Sequence, residues 1–157
     1  IASYMHNAIS SGLGKIGVLV ALNSDGDADK LNALGKQLAM HIAAAAPQSV
    51  SRDDLDQDII DRERQVLSDQ ARDSGKPEEI IEKIVEGRIR KFYEEVCLLD
   101  QTYVVDGESK ISDVLENAAK DIGSPVSIKA FDRFALGEGI EKEKEDYASE
   151  VAALAGT

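Results

Sequence analysis

Ser74-Gly75-Lys76-Pro77-Glu78-Glu79-Ile80-Ile81-Glu82-Lys83-Ile84-Val85-Glu86-Gly87-Arg88-Ile89-Arg90-Lys91-Phe92 reads as a helix with a marked start. Pro77 suits the first helical position, where a missing N–H is no loss. Glu78, Glu79 and Glu82 lie near the positive end of the helix dipole, with Arg88, Arg90 and Lys91 further along. Ile81, Val85, Ile89, Phe92 and Val96 recur at helical spacing and define one apolar stripe, which Ile80 and Ile84 widen. Gly87 interrupts this helix at ~1 kcal/mol against alanine. A close helix neighbour is the expected reason.

Upstream, residues 58–72 carry a second helical pattern, with Ile59, Val66 and Gln70 on one flank and Ile60, Leu67 and Ala71 beside them. The connection through Gly75 and Pro77 is short, so the two helices are expected to lie antiparallel as an arm. The stripe on the second helix then has two readings. It packs against the first helix, or it leaves apolar surface for self-association, with Ile81, Val85, Ile89 and Phe92 as the candidates.

Around the arm the periodicity changes. Residues 1–6 read as a short strand and 7–14 as a Gly-rich hairpin loop. Residues 16–22 are an almost continuous aliphatic run, the pattern of a buried strand. Leu31, Leu34, Leu38, Ile42 and Ala45 share a helical face, and Pro47 stops that helix. The polar stretch 48–56 reads as a junction. Residues 106–110 form a turn, and 111–122 a short helix with Val114, Leu115 and Ala118 inward, ended by Gly123, Ser124 and Pro125. Residues 126–136 alternate at Val126, Ile128 and Ala130, then resume at Phe131 and Phe134, as in a strand with a bulge. Ile140, Tyr147, Val151 and Leu154 permit a last helix within 137–157. The expected class is α+β. A small three-stranded antiparallel sheet packs with helices in a core of residues 1–48 and 99–136, and residues 49–98 are an inserted antiparallel helical hairpin.

The 157-residue chain is long enough for a real core, and its 43% hydrophobic but 4% aromatic content favours aliphatic packing. A net charge of −12 argues against nucleic-acid binding, which needs clustered Lys and Arg. The single cysteine cannot form an internal disulfide, in keeping with a reducing, cytoplasmic setting. No apolar run reaches the ~18 residues of a membrane span. No secretory leader is read at the start, and the chain opens at Ile1 without an initiator methionine, so a fragment is expected.

Motifs for chemistry are sparse. Gly12-Leu13-Gly14-Lys15-Ile16-Gly17 matches G-x-G-x-x-G, but it precedes a Val-rich strand and opens no helix, so no dinucleotide cofactor is expected. His6, His41 and Cys97 are too few and too scattered for a zinc site. The Asp53–Asp58 cluster lacks the glycine and terminal Glu of a Ca²⁺ loop. Neither a nucleophile elbow nor a P-loop occurs. No catalytic residue, cofactor or metal is expected.

Several ordered stretches carry a resemblance. Ser74–Phe92 continues into Glu95-Val96-Cys97-Leu98-Leu99-Asp100-Gln101-Thr102-Tyr103-Val104. Ser3-Tyr4-Met5-His6, Lys15-Ile16-Gly17-Val18-Leu19-Val20 and Met40-His41-Ile42-Ala43-Ala44 with Pro47 precede it. Phe131-Asp132-Arg133-Phe134 and Gly137-Glu138-Gly139-Ile140-Glu141-Lys142 follow. Together they resemble the bacterial elongation factor Ts family. The resemblance implies part of that factor's core, a protruding helical dimerisation module and the start of a C-terminal module. It implies a guanine-nucleotide exchange factor that displaces GDP from elongation factor Tu by distorting its Mg²⁺ and phosphate environment. The partner would be met both GDP-bound and nucleotide-free, and a homodimer through the arm is possible in the family. The histidine of the Ser-Tyr-x-His motif touches the GTPase in that family, so His6, with Tyr4 and Met5, is the implied partner contact. The family's Thr-Asp-Phe-Val motif, whose Asp and Phe intrude into the GTPase, does not occur here. The expectation is partner binding without full exchange activity. The alternative is a structural module that oligomerises through its hairpin.

Overall fold

The computed structural model describes residues 1–10, 12–73, 75 and 77–139. Strand β1 (Ala2–His6) pairs antiparallel with β2 (Ile16–Asn23), which pairs antiparallel with β3 (Ser127–Ala135), giving the order β1-β2-β3. This is the expected three-stranded antiparallel sheet within an α+β fold.

Helix α1 (Ala28–Ala45) crosses one face of the sheet and packs on β1 and β2. Asp27 opens it by accepting the N–H groups of Asp29 and Lys30, both at 3.0 Å, in place of the missing helical acceptors. Gly35 is needed for the approach: a Cβ there would fall 2.6 Å from the Ala2 Cβ. Helix α4 (Ile111–Ile122) adds to the same layer and ends at Gly123, whose φ of 82° suits glycine. Val18, Val20, Leu38, Ile42, Leu98 and Ile111 are the fully enclosed centre of this core.

Only one face of β2 is covered. Val18 and Val20 are buried, while Leu19 between them is 45% exposed. The aliphatic run therefore does not mark a strand enclosed on both sides, because among the described residues no second helical layer lies over it. A bulge does occur in β3. Pairing steps from Ala21↔Ala130 to Leu22↔Ile128, which leaves Lys129 as the extra residue. The pleat reverses there, so Ala130 faces outward with the exposed residues rather than inward with Ile128.

The arm is α2 (Gln57–Arg72) and α3 (Glu78–Val96), with Pro77 at the cap of α3, one position before its first turn. Leu67, Ala71, Ile81, Val85 and Ile89 interlock along it. At its root Leu55, Ile60, Val96 and Cys97 form a second cluster, with Phe92 and Tyr93 packed against it. A short parallel stem ties both ends of the arm to the core. Gln48 N–H donates to the Val96 carbonyl (2.8 Å), Leu98 N–H to Ser49 (2.9 Å) and Leu99 N–H to Val50 (3.0 Å). Arg52 grips Asp100 with two bonds, at 2.9 and 2.6 Å, and lies 4.8 Å from the Tyr93 ring centroid. Gly87 has no close neighbour. It is exposed, and a Cβ there would meet nothing within 4 Å, so helix packing does not account for it. The helix expected from Ile140, Tyr147, Val151 and Leu154 lies outside the described residues.

Candidate functional site

Side chains along a strand alternate between faces, and α1 occupies one face of this sheet. The pleat sends Ser3, Met5, Gly17, Leu19, Asp132 and Phe134 to the other. Met5, Gly17 and Phe134 form one row across the three strands, and Ser3, Leu19 and Asp132 form the next. Leu13 joins from the β1–β2 loop, where Ile9 N–H donates to the Leu13 carbonyl at 2.8 Å. Leu136 joins from beyond β3, its N–H bonded to the Lys15 carbonyl at 2.8 Å. The result is an open groove of ≈ 610 Å³.

This surface is apolar, and among the described residues nothing covers it. Phe134 is 69% exposed, Leu136 80% and Leu13 64%, and all three share the groove with Met5 and Leu19. One exposed leucine needs no explanation, but five neighbouring large apolar side chains make this groove the candidate docking surface. Gly17 leaves a notch at its middle. A Cβ on Gly17 would sit an ordinary 3.6 Å from the Met5 methyl, so this chain's own packing does not demand glycine. Glycine inside a strand costs about 0.5–1 kcal/mol and often marks a close approach by another backbone.

The three residues of the Ser-Tyr-x-His motif are divided by the pleat. Met5 lies on the open face. Tyr4 and His6 turn to the other side of the β1 edge, where the Tyr4 hydroxyl and His6 Nδ1 are 3.2 Å apart. They border a second groove with Met40, Val104, Val105 and Arg133. Arg133 reaches the Ala43 carbonyl at the end of α1 (3.5 Å) and bonds Glu138 at 3.1 Å. The self-association candidates Ile81, Val85 and Ile89 are each 4% exposed, enclosed between α2 and α3. Phe92 is partly buried at the arm root. The stripe is used within one chain, so these four side chains do not form an exposed surface.

The remaining reactive groups serve local structure. Asp54 accepts the Ser51 N–H and hydroxyl, and Asp56 caps α2. Burial pushes the Cys97 thiol above its ordinary pKa, against a weaker opposing bond from Ser49. Burial likewise holds the His41 imidazole below its ordinary value, partly offset by the bond to Gln101. The G-x-G-x-x-G match lies in the β1–β2 loop and the start of β2. Among the described residues, no three His, Cys, Asp or Glu side chains gather where a metal ion could be held.

Residues 1–138, which include the whole sheet and the whole arm, match the family model described as Elongation factor TS. The chain belongs to the elongation factor Ts family. It is 62% identical over its whole length to an elongation factor Ts of Paramagnetospirillum magneticum, of which the alignment covers 50%. It is 61% identical to that of Rhodospirillum centenum, over 99% of this chain and 51% of the relative. For Rhodospirillum rubrum the figures are 60%, 98% and 50%. The chain thus spans about half the length of the elongation factor Ts relatives it matches. Met5, Leu13, Gly17, Leu19, Phe134 and Leu136 all fall inside the matched region. Of these, only Met5 is among the contacts that the resemblance implies. The signal for Phe134 was the bulge, which decides the face on which it emerges.

Proposed function

We propose that this chain binds the translational GTPase elongation factor Tu as the half of an exchange factor that docks rather than the half that intrudes. Its open sheet face, centred on Gly17 between Met5 and Phe134, is the contact surface. The observation that supports this most is five large apolar side chains left exposed on the side of the sheet opposite α1. Membership of the elongation factor Ts family points the same way. Such a surface acts by complementarity and needs no nucleophile, metal or cofactor. His6 and Tyr4 contribute at the β1 edge.

Exchange is linked binding. A factor that weakens nucleotide affinity for the GTPase is itself bound less tightly when nucleotide is present, by the same factor. The chain lacks the Thr-Asp-Phe-Val motif, so it binds the GTPase more weakly than the intact factor and accelerates GDP release little. Release of a fluorescent GDP from elongation factor Tu tests this. Acceleration equal to that of a full-length factor by residues 1–157 refutes it.

A second reading, a homodimer through the arm, has a narrower support. Val66 and Ile80 stay about half exposed after α2 and α3 pair. Sedimentation of a chain whose arm residues 57–95 are replaced by a short linker separates the two readings, because the core residue Leu98 and the docking surface are kept while an arm-mediated dimer is lost.

A further inference from the structure

His41 is fully enclosed, yet both of its ring nitrogens are engaged. The Val104 backbone N–H points at Nδ1 from 3.3 Å. A backbone N–H can only donate, so Nδ1 must be the bare acceptor and Nε2 must carry the proton. Nε2 then donates to the Gln101 Oε1 at 2.9 Å. This orients the Gln101 amide so that its NH₂ donates to the Glu95 carbonyl, at 2.7 Å, in the last turn of α3. Every donor finds an acceptor in one direction only. The chain of bonds joins α1, the segment 101–104 and the root of the arm.

We propose that His41 is an acid-sensitive latch, whose neutral ring holds residues 101–104 and the end of α3 against α1 and whose protonation at Nδ1 releases Val104. A proton on Nδ1 turns the acceptor into a donor and sets N–H against N–H. Among the described residues, no carboxylate is bonded to the ring. The titratable side chain in ring contact is Tyr103, at 5.9 Å, whose hydroxyl is bonded to Gln37 on α1. From β3, Arg133 is turned to the Ala43 carbonyl and Glu138. From α3, Glu94 is paired with Lys110, and Glu95 is exposed. Asp106, exposed in the adjoining turn, accepts the Glu108 and Ser109 N–H groups. Burial is the larger cause acting on the ring, and it favours the neutral form. Val104 and Val105 are about half exposed and wall the groove beside His6, so the latch also sets the shape of that groove. None of this depends on which partner the open sheet face meets.

The test is an NMR titration of the full chain from pH 8 to pH 5, following the imidazole protons and the backbone amides. The chain has two histidines, and His6→Gln assigns His41 by elimination. The latch predicts that the Val104 amide leaves its native position with the midpoint of His41, while amides of β2 stay in place. His41→Asn, whose side-chain oxygen can stand where Nδ1 stood but cannot titrate, should hold the Val104 amide still over the same range. A Val104 amide that ignores His41 protonation overturns the proposal. So does simultaneous loss of all core amides, which would make the event global unfolding. If His41→Asn does not fold, the wild-type titration alone decides between these outcomes.

Discussion

Replacing Phe134 by alanine separates docking from folding. The side chain is 69% exposed on the open face, so its removal opens no cavity and leaves the inward residues Phe131 and Ile128 untouched. Stability should change by less than about 1 kcal/mol, the span of strand propensity at such a site. Binding is a different matter. A fully covered phenylalanine buries roughly 150–250 Å², so about 100–170 Å² of Phe134 is free to be covered by a partner. At 25 cal/mol per Å² that is about 2.5–4 kcal/mol as a ceiling. Incomplete covering and the carbon that alanine retains reduce the expected loss to about 1–3 kcal/mol, or a weakening of about 5- to 150-fold. Isothermal titration of elongation factor Tu measures the affinity, and urea denaturation of the free chain measures stability. An unchanged affinity in a normally folded Phe134→Ala chain would remove this face from the contact, and with it the reasoning that placed it there.

Three further perturbations follow from the same geometry. Gly17→Ala should leave the free chain as stable or up to about 1 kcal/mol more stable, because the new methyl has room beside Met5, yet weaken binding by filling the notch; urea melts and titration read the two effects, and equal or tighter binding speaks against a close approach there. Ile89→Ala, inside the arm, should lower stability by about 2–5 kcal/mol as a cavity opens between α2 and α3. A thermal melt measures that loss, and a near-neutral result would mean the arm interior is not packed as described. Stability should also fall with acid through His41. Its folded pKa is depressed, so the unfolded chain takes up the proton first, and stability present above the ordinary imidazole value is lost as pH falls from there through the folded value. Urea midpoints compared at pH 7.5 and pH 5, with His41→Asn as the control for the carboxylates, isolate this contribution.

Much of the fold could be read in the sequence because periodicity reports burial directly. The spacing of Leu34, Leu38 and Ile42 marked α1, and Ile81, Val85 and Ile89 marked the inner face of α3. The aliphatic run from Ile16 to Leu22 was harder. Val, Leu and Ile suit either face of a strand, so composition could not tell that Leu19 lacks a covering layer. Phe134 was obscured for a different reason. One extra residue at Lys129 reverses the pleat, and only the paired register locates it. Gly87 shows the limit of local reasoning, since a glycine invites a packing explanation and the structure offers no neighbour to supply one. The division of Tyr4 and His6 from Met5 follows simply from strand alternation. The motif joins them in sequence, and the sheet sends them to opposite sides.

The most direct measurement is the affinity of residues 1–157 for elongation factor Tu, titrated in the nucleotide-free state and again with GDP bound. Docking through the open face without the intruding motif predicts measurable binding in both states, which GDP weakens only a little. Absence of binding in both states would contradict it.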